Sequence, residues 1–198
     1  MRGFNAIIPT QLVLGLALFM PGTFLPAQPA QLPFRSLDIG LQLAANTNRE
    51  DIHHYWNSHP AFGGVVETPF YFGLARAGIQ VHPFSAISSG AYDYTDSFIY
   101  LGWGFPLVQT RHIYWLNAIN LGAHFMLFTN PESTNNDETE MGIGLTSQLK
   151  YRFSPRWSVA LAYSYNRIFT WKRINLAYFS GGLNYRITTP DWLRSILE

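Results

Sequence analysis

The feature that most constrains this chain is a two-residue alternation that begins at Ser36 and recurs, in segments separated by turn residues, as far as Ile187. Period two is the mark of a strand with unlike faces, because successive side chains leave a pleated backbone on opposite sides. In residues 36–46, Leu37, Ile39, Leu41, Leu43 and Ala45 oppose Ser36, Asp38, Gly40, Gln42, Ala44 and Asn46. In residues 142–153, Ile143, Leu145, Leu149, Tyr151 and Phe153 share one face, with Ser147 the exception, against Gly142, Gly144, Thr146, Gln148, Lys150 and Arg152. Trp157, Val159, Leu161, Tyr163 and Tyr165 oppose Ser158, Ala160, Ala162, Ser164 and Asn166, and Phe179, Leu183, Tyr185 and Ile187 oppose Tyr178, Ser180, Gly182, Asn184 and Arg186. Less regular segments cover residues 61–68, 72–84, 97–108 and 112–128, the last with a bulge expected near Asn117. Eight strands follow.

The joints between them alternate in length. Long connections span residues 47–59, 85–96 and 129–140; short ones lie at 69–71, 110–111 and 154–156, and 169–173 is intermediate. Tight turns at one end and long polar loops at the other, with strands of about 9–11 residues, suit an antiparallel up-and-down transmembrane barrel. The face assignment separates this from a secreted barrel around an apolar cavity. One face carries nearly all the Leu, Ile, Phe and Trp, whereas the other is small and polar, as the narrow interior of eight strands demands. Trp103, Phe105, Tyr151, Phe153, Trp157, Tyr185 and Ile187 gather beside the short turns as an aromatic girdle at a membrane interface. Composition agrees: 13% of the residues are charged and 16% are aromatic, and 13 Lys and Arg against 12 Asp and Glu leave no basic field for nucleic acid. The absence of cysteine excludes disulfides, thiolate metal sites and a Cys nucleophile.

Residues 1–30 read as a secretory signal peptide, with Arg2, an apolar core from Ala6 to Met20, then Pro21, Gly22 and small residues at Ala27 and Ala30. A retained membrane anchor is the alternative, but Pro9 and Gln11 interrupt the run. The organisation expected is a leader over 1–30, a linker over 31–35, the barrel over 36–187 and a tail over 188–198. Thr189 as a cap, Pro190 and Asp191 as a helix start, and Trp192, Leu193, Ile196 and Leu197 as an apolar side predict a short C-terminal helix.

At this point the chain resembles the small eight-stranded outer-membrane β-barrels of the OmpA/OmpX and lipid A deacylase types. The sharpest motif is in the final strand, where Ser180, Gly182, Tyr185 and Ile187 match a polar-x-Gly-x-x-aromatic-x-hydrophobic assembly signal. The resemblance implies insertion by the barrel-assembly machinery, residence among outer-membrane lipid and lipopolysaccharide as a monomer, and both termini in the periplasm. It also raises a lipid-modifying reading, since deacylase-type barrels carry a His-x-Ser-Asn-type motif in the seventh strand. The matching stretch here is Ala162-Tyr163-Ser164-Tyr165-Asn166, and no His follows His124. A hydroxyl nucleophile needs a general base in reach, so the expectation is a structural or loop-mediated interaction role without a catalytic site or cofactor.

Two charged sets remain. Asp38, Glu67, Arg76, Lys150, Arg152 and Arg186 should enter the lumen near the short turns, paired as Glu67–Arg76 and Asp38–Arg186 because unpaired buried ions are costly. Their alternative reading is a positively biased constriction that favours anions in a narrow pore. On the loops, His53, His54 and His59 are metal-ligand candidates without a rigid ligand spacing. The acidic stretch 130–140 lacks the central Gly of a calcium loop. The four longer connections carry a net charge of −5, which divalent cations could bridge to lipopolysaccharide.

Overall fold

The computed structural model describes residues 33–47, 51–87, 91–129, 137–171, 174–190 and 192. The expected signal peptide lies outside these residues. So does the expected C-terminal helix, of which only Trp192 is described, and so does most of the acidic third loop.

Nine strands run β1 (Ser36–Asn46), β2 (Trp56–Ser58), β3 (Ala61–Phe70), β4 (Gly73–Ala86), β5 (Tyr94–Gln109), β6 (Ile113–Phe128), β7 (Glu138–Arg152), β8 (Trp157–Ile168) and β9 (Ile174–Thr188). Eight of them close a barrel in which every neighbour is antiparallel and each long strand pairs with the next. Closure runs through β1 and β9, whose register places Ile39 opposite Tyr185 and Leu37 opposite Ile187. The strand carrying Ser180, Gly182, Tyr185 and Ile187 is therefore the one that seals the cylinder. The three-residue β2 is additional: it sits inside the first long loop and pairs with the end of β4. Among the described residues no helix is long and apolar enough to cross a membrane.

The alternation sorts as expected over the middle of the barrel. Leu41, Leu43 and Leu101 point outward and are 70–72% exposed, in an apolar belt continued by Ile79, Leu121, Leu149, Leu161, Phe179 and Leu183. So large an apolar surface is stable only against lipid or another protein. Inside, glycines make room for large inward side chains. A Cβ on Gly78 would stand 2.5 Å from the Tyr100 ring, and one on Gly142 would stand 2.6 Å from His124.

Three sequence expectations change. The strands reach further into the long loops than the alternation suggests: β4 ends at Ala86, β5 starts at Tyr94 and β7 starts at Glu138. Towards the loop end large apolar side chains turn inward, where Phe84, Tyr94, Met126, Ile168, Leu176 and Tyr178 form a buried cluster. The first loop caps it. Ile52, from the short 3-10 helix Asp51–His54, is buried in the cluster, and Trp56 packs edge-on against Tyr94 at 5.4 Å. Finally, β6 carries no bulge at Asn117. It keeps its alternation with Leu116 buried in the lumen, and the extra residue lies on β5, between Pro106 and Val108. Proline has no N–H to give the ladder, so an irregularity beside it disturbs little. The outward Ser147 is also accounted for, because Trp115 Nε1 donates to its Oγ at 3.0 Å and removes an unpaired hydroxyl from the apolar belt.

At the turn end the expected girdle is larger than the alternation indicates. Trp103 meets Phe70 and Phe72 at 5.3 and 5.2 Å, Phe34 meets Phe70 at 5.2 Å, and Trp157 packs on Tyr185 at 4.7 Å. Tyr71, in the hairpin between β3 and β4, has a φ of 49°. A positive φ at the first central residue of a two-residue loop matches the right-handed twist of the flanking strands.

Candidate functional site

Strand register alone assembles the charged lumen. Arg186 pairs with Asp38, Asp38 with Glu67, and Glu67 with Arg76, so four charges form one row across β9, β1, β3 and β4. Asp38 takes a bidentate hold from Arg186, with Nε on Oδ1 at 2.6 Å and Nη2 on Oδ2 at 2.7 Å. Such fork-to-fork pairs fix geometry as well as adding energy. Glu67 stands beside a second carboxylate, Asp38, and is neutralised from two other sides. Arg76 Nε lies 2.9 Å from its Oε1, and Lys150 Nζ donates to its Oε2. In the cyclic order of the barrel β3 and β7 are opposite walls. The Lys150–Glu67 contact is therefore a strut across the lumen, a partnership that the sequence pairing Glu67–Arg76 did not include.

The lumen is filled from this height towards the loop end. Glu67, Arg76, Tyr100, Asn120, Gln148, Lys150 and Asn166 are each at most 6% exposed. Towards the turn end it opens into a cavity of about 570 Å³. Arg152, the remaining member of the expected set, lines this cavity rather than joining the packed ladder.

A second polar cluster lies towards the loop end and includes a residue that sequence reading left in a loop. Asp96 is on β5, register-paired with His82 on β4, and it is buried. Its carboxylate lies 2.9 Å from His124 Nδ1 and 3.4 Å from His82 Nδ1. An ionised carboxylate only accepts, so both imidazoles present Nδ1–H to it. The rings are clamped by stacking, His82 on Tyr178 at 4.2 Å and His124 on Phe98 at 4.1 Å. Asp96 thus leaves the loop-side charge count, and the inward alternation of His82 and His124 was the signal that could have led to it.

The loop histidines do not converge. His53 Nε2 is bonded to Asn46 Oδ1 at 3.1 Å and His59 Nε2 to Ser85 Oγ. Among the described residues no group of three or more His, Cys, Asp or Glu is arranged to hold a metal ion. Ser164 faces the lumen and is buried, as is Asn166.

No protein-family model matches the chain, and no curated protein matches it. Solved structures do. The chain is similar to the N-terminal β-barrel domain of Pseudomonas aeruginosa OprF, with a TM-score of 0.52 and 9% identity over 79% of this chain and 100% of that one. It is equally similar to Ail, the attachment invasion locus protein of Yersinia pestis, in a complex with the heparin analogue sucrose octasulfate: TM-score 0.52 and 10% identity over 77% of this chain and 98% of that one. At such identities the likeness is one of fold. The closed antiparallel cylinder, its outward apolar belt and these neighbours agree: the chain has the fold of the small eight-stranded outer-membrane β-barrels.

Proposed function

We propose that the chain is an outer-membrane barrel with a structural or loop-mediated interaction role, whose lumen is a packed core and whose loop end is the working surface. The observation that carries this reading is the Lys150–Glu67 strut between opposite walls, buried among side chains that fill the cylinder. An open conduit cannot coexist with it, and the apolar cap built from Ile52, Tyr94 and Leu176 fills the loop end as well. In this reading the short turns and both termini face the periplasm. The apolar belt meets lipid, the loops stand among lipopolysaccharide, and β9 presents Ser180, Gly182, Tyr185 and Ile187 to the assembly machinery. A hydrolytic role has no support from Ser164, whose hydroxyl is enclosed in the lumen away from any acyl chain.

The test has two parts. The mature chain from an outer-membrane fraction should migrate differently on gels before and after boiling, and in planar bilayers it should give no stable conductance steps. A soluble, heat-insensitive periplasmic protein would overturn the membrane assignment. Steady unitary steps would overturn the sealed lumen and favour a narrow pore.

A further inference from the structure

The turn-end cavity carries a charge imbalance that the packed ladder does not absorb. Five cationic side chains line it, Arg35, Arg111, Lys150, Arg152 and Arg186, against the carboxylates of Asp38 and Glu67. Both carboxylates are already in contact with other cations. Asp38 gives one oxygen to each of two Arg186 nitrogens, and Glu67 is shared between Arg76 and Lys150. Among the described residues no carboxylate lies within ion-pair distance of Arg35, Arg111 or Arg152. Like-charged guanidiniums converging on one concave space are unfavourable without a counter-charge.

Arg152 is also held in place. Its N–H donates to the His112 carbonyl at 2.7 Å, and its own carbonyl lies 3.1 Å from His112 Nδ1. The backbone at the end of β7 is therefore pinned to the β5–β6 turn, and Arg152 lines the cavity from a fixed platform together with its register partner Ser158. Planar forks of this kind match phosphate and carboxylate oxygens. A volume of about 570 Å³ lies within the range of small-molecule sites.

We propose that this vestibule is a binding site for a small polyanion, a molecule bearing two or more phosphate or carboxylate groups, with half-buried Arg152 on its wall and the exposed Arg111 and Arg35 at its rim. The lumen above it is closed, so the site is a receptor pocket open at one end of the barrel rather than a stage in a conduit. It depends on the cylinder and its charges, and it stands whichever role the loops have.

The experiment uses the full mature chain, folded in detergent, with inorganic pyrophosphate and citrate as probes in isothermal titration at low ionic strength. Saturable binding of pyrophosphate that weakens as salt rises is expected. Binding of citrate as well would widen the site to polyanions in general, and selectivity for pyrophosphate would narrow it to phosphates; either outcome supports the site. Arg152→Gln should weaken binding about tenfold, the loss of one charge-assisted fork, whereas Arg167→Gln near the loop end should leave it unchanged. Phenylglyoxal labelling of the unmodified chain provides a second readout that does not depend on a variant folding. Pyrophosphate should protect Arg152 and Arg111 and leave Arg167 reactive. No saturable binding of either probe, equal loss in the two variants, or uniform labelling with and without pyrophosphate would each overturn the proposal.

Discussion

Replacing Glu67 by Gln removes the carboxylate that, among the described residues, is in ion-pair contact with two buried cations, Arg76 and Lys150. At the 2.9 Å between Arg76 Nε and Glu67 Oε1, an effective dielectric of about 20 gives about 6 kcal/mol of gross attraction. Desolvation of both ions offsets most of that, so the intact pair contributes little net stability. Stranding the cations is another matter: breaking a buried pair by removing one partner costs about 3–5 kcal/mol. Lys150→Met perturbs the same cluster in the opposite sense. It deletes the surplus cation, leaves Glu67 with Arg76, and keeps a side chain of similar length across the lumen, so it should cost about 1 kcal/mol or less. The double variant Glu67→Gln/Lys150→Met should be more stable than Glu67→Gln alone, because one of the two stranded charges has gone. Unfolding in urea, followed by tryptophan emission and by the heat-modifiable fraction on gels, gives the three differences. If Lys150→Met costs as much as Glu67→Gln and the two effects add, the centre is held by packing and the charge argument fails.

Other outcomes follow from the same geometry. Gly122→Ala places a Cβ on the backbone carbonyl oxygen of Ile99 and should cost about 1–3 kcal/mol in an unfolding titration, whereas Gly181→Ala, whose nearest neighbour would be Leu161 Cδ2 at 3.7 Å, should be close to neutral. Asp96→Ala leaves His82 and His124 without their shared acceptor and should cost about 2–4 kcal/mol. Hydrogen exchange should accelerate around β4–β6 near the loop end, with the turn end of β9 unaffected. Trp56→Ala removes the contact with Tyr94 and the 2.8 Å hydrogen bond from Nε1 to the Tyr92 carbonyl. Limited proteolysis should then cut the first loop faster while boiled and unboiled chains still migrate apart; unchanged cleavage would show that Trp56 does not anchor that loop.

Much of this molecule is legible from alternation. β1, β7, β8 and β9 each separate a lipid-type face from a small polar face without help from the rest of the chain, because the pleat makes facing a local property. The alternating long and short connections follow from the same segments, and a narrow interior explains why glycine, serine and asparagine occupy one face. Alternation reports phase, however, and leaves open which phase is inside once a strand passes beyond the lipid band. Tyr94 and Leu176 were hidden for that reason: an inward apolar residue in a strand extension looks like loop until its neighbours are placed. Asp96 was hidden with them.

The sequence by itself determined eight strands, their facing through the apolar belt, and, Asp96 excepted, the charges that share a lumen. Tertiary structure decided which charges meet. Lys150 and Glu67 are 83 residues apart and sit on opposite walls, so their contact depends on barrel closure and on the stagger between strands, and neither is encoded in any one segment. Arg152 lies two residues from Lys150 on the same strand face, yet it stands half-buried in the vestibule while Lys150, which reaches only the inner end of that cavity, is buried against Glu67. That difference of one step along the barrel axis separates a packed core from a surface that a ligand can reach.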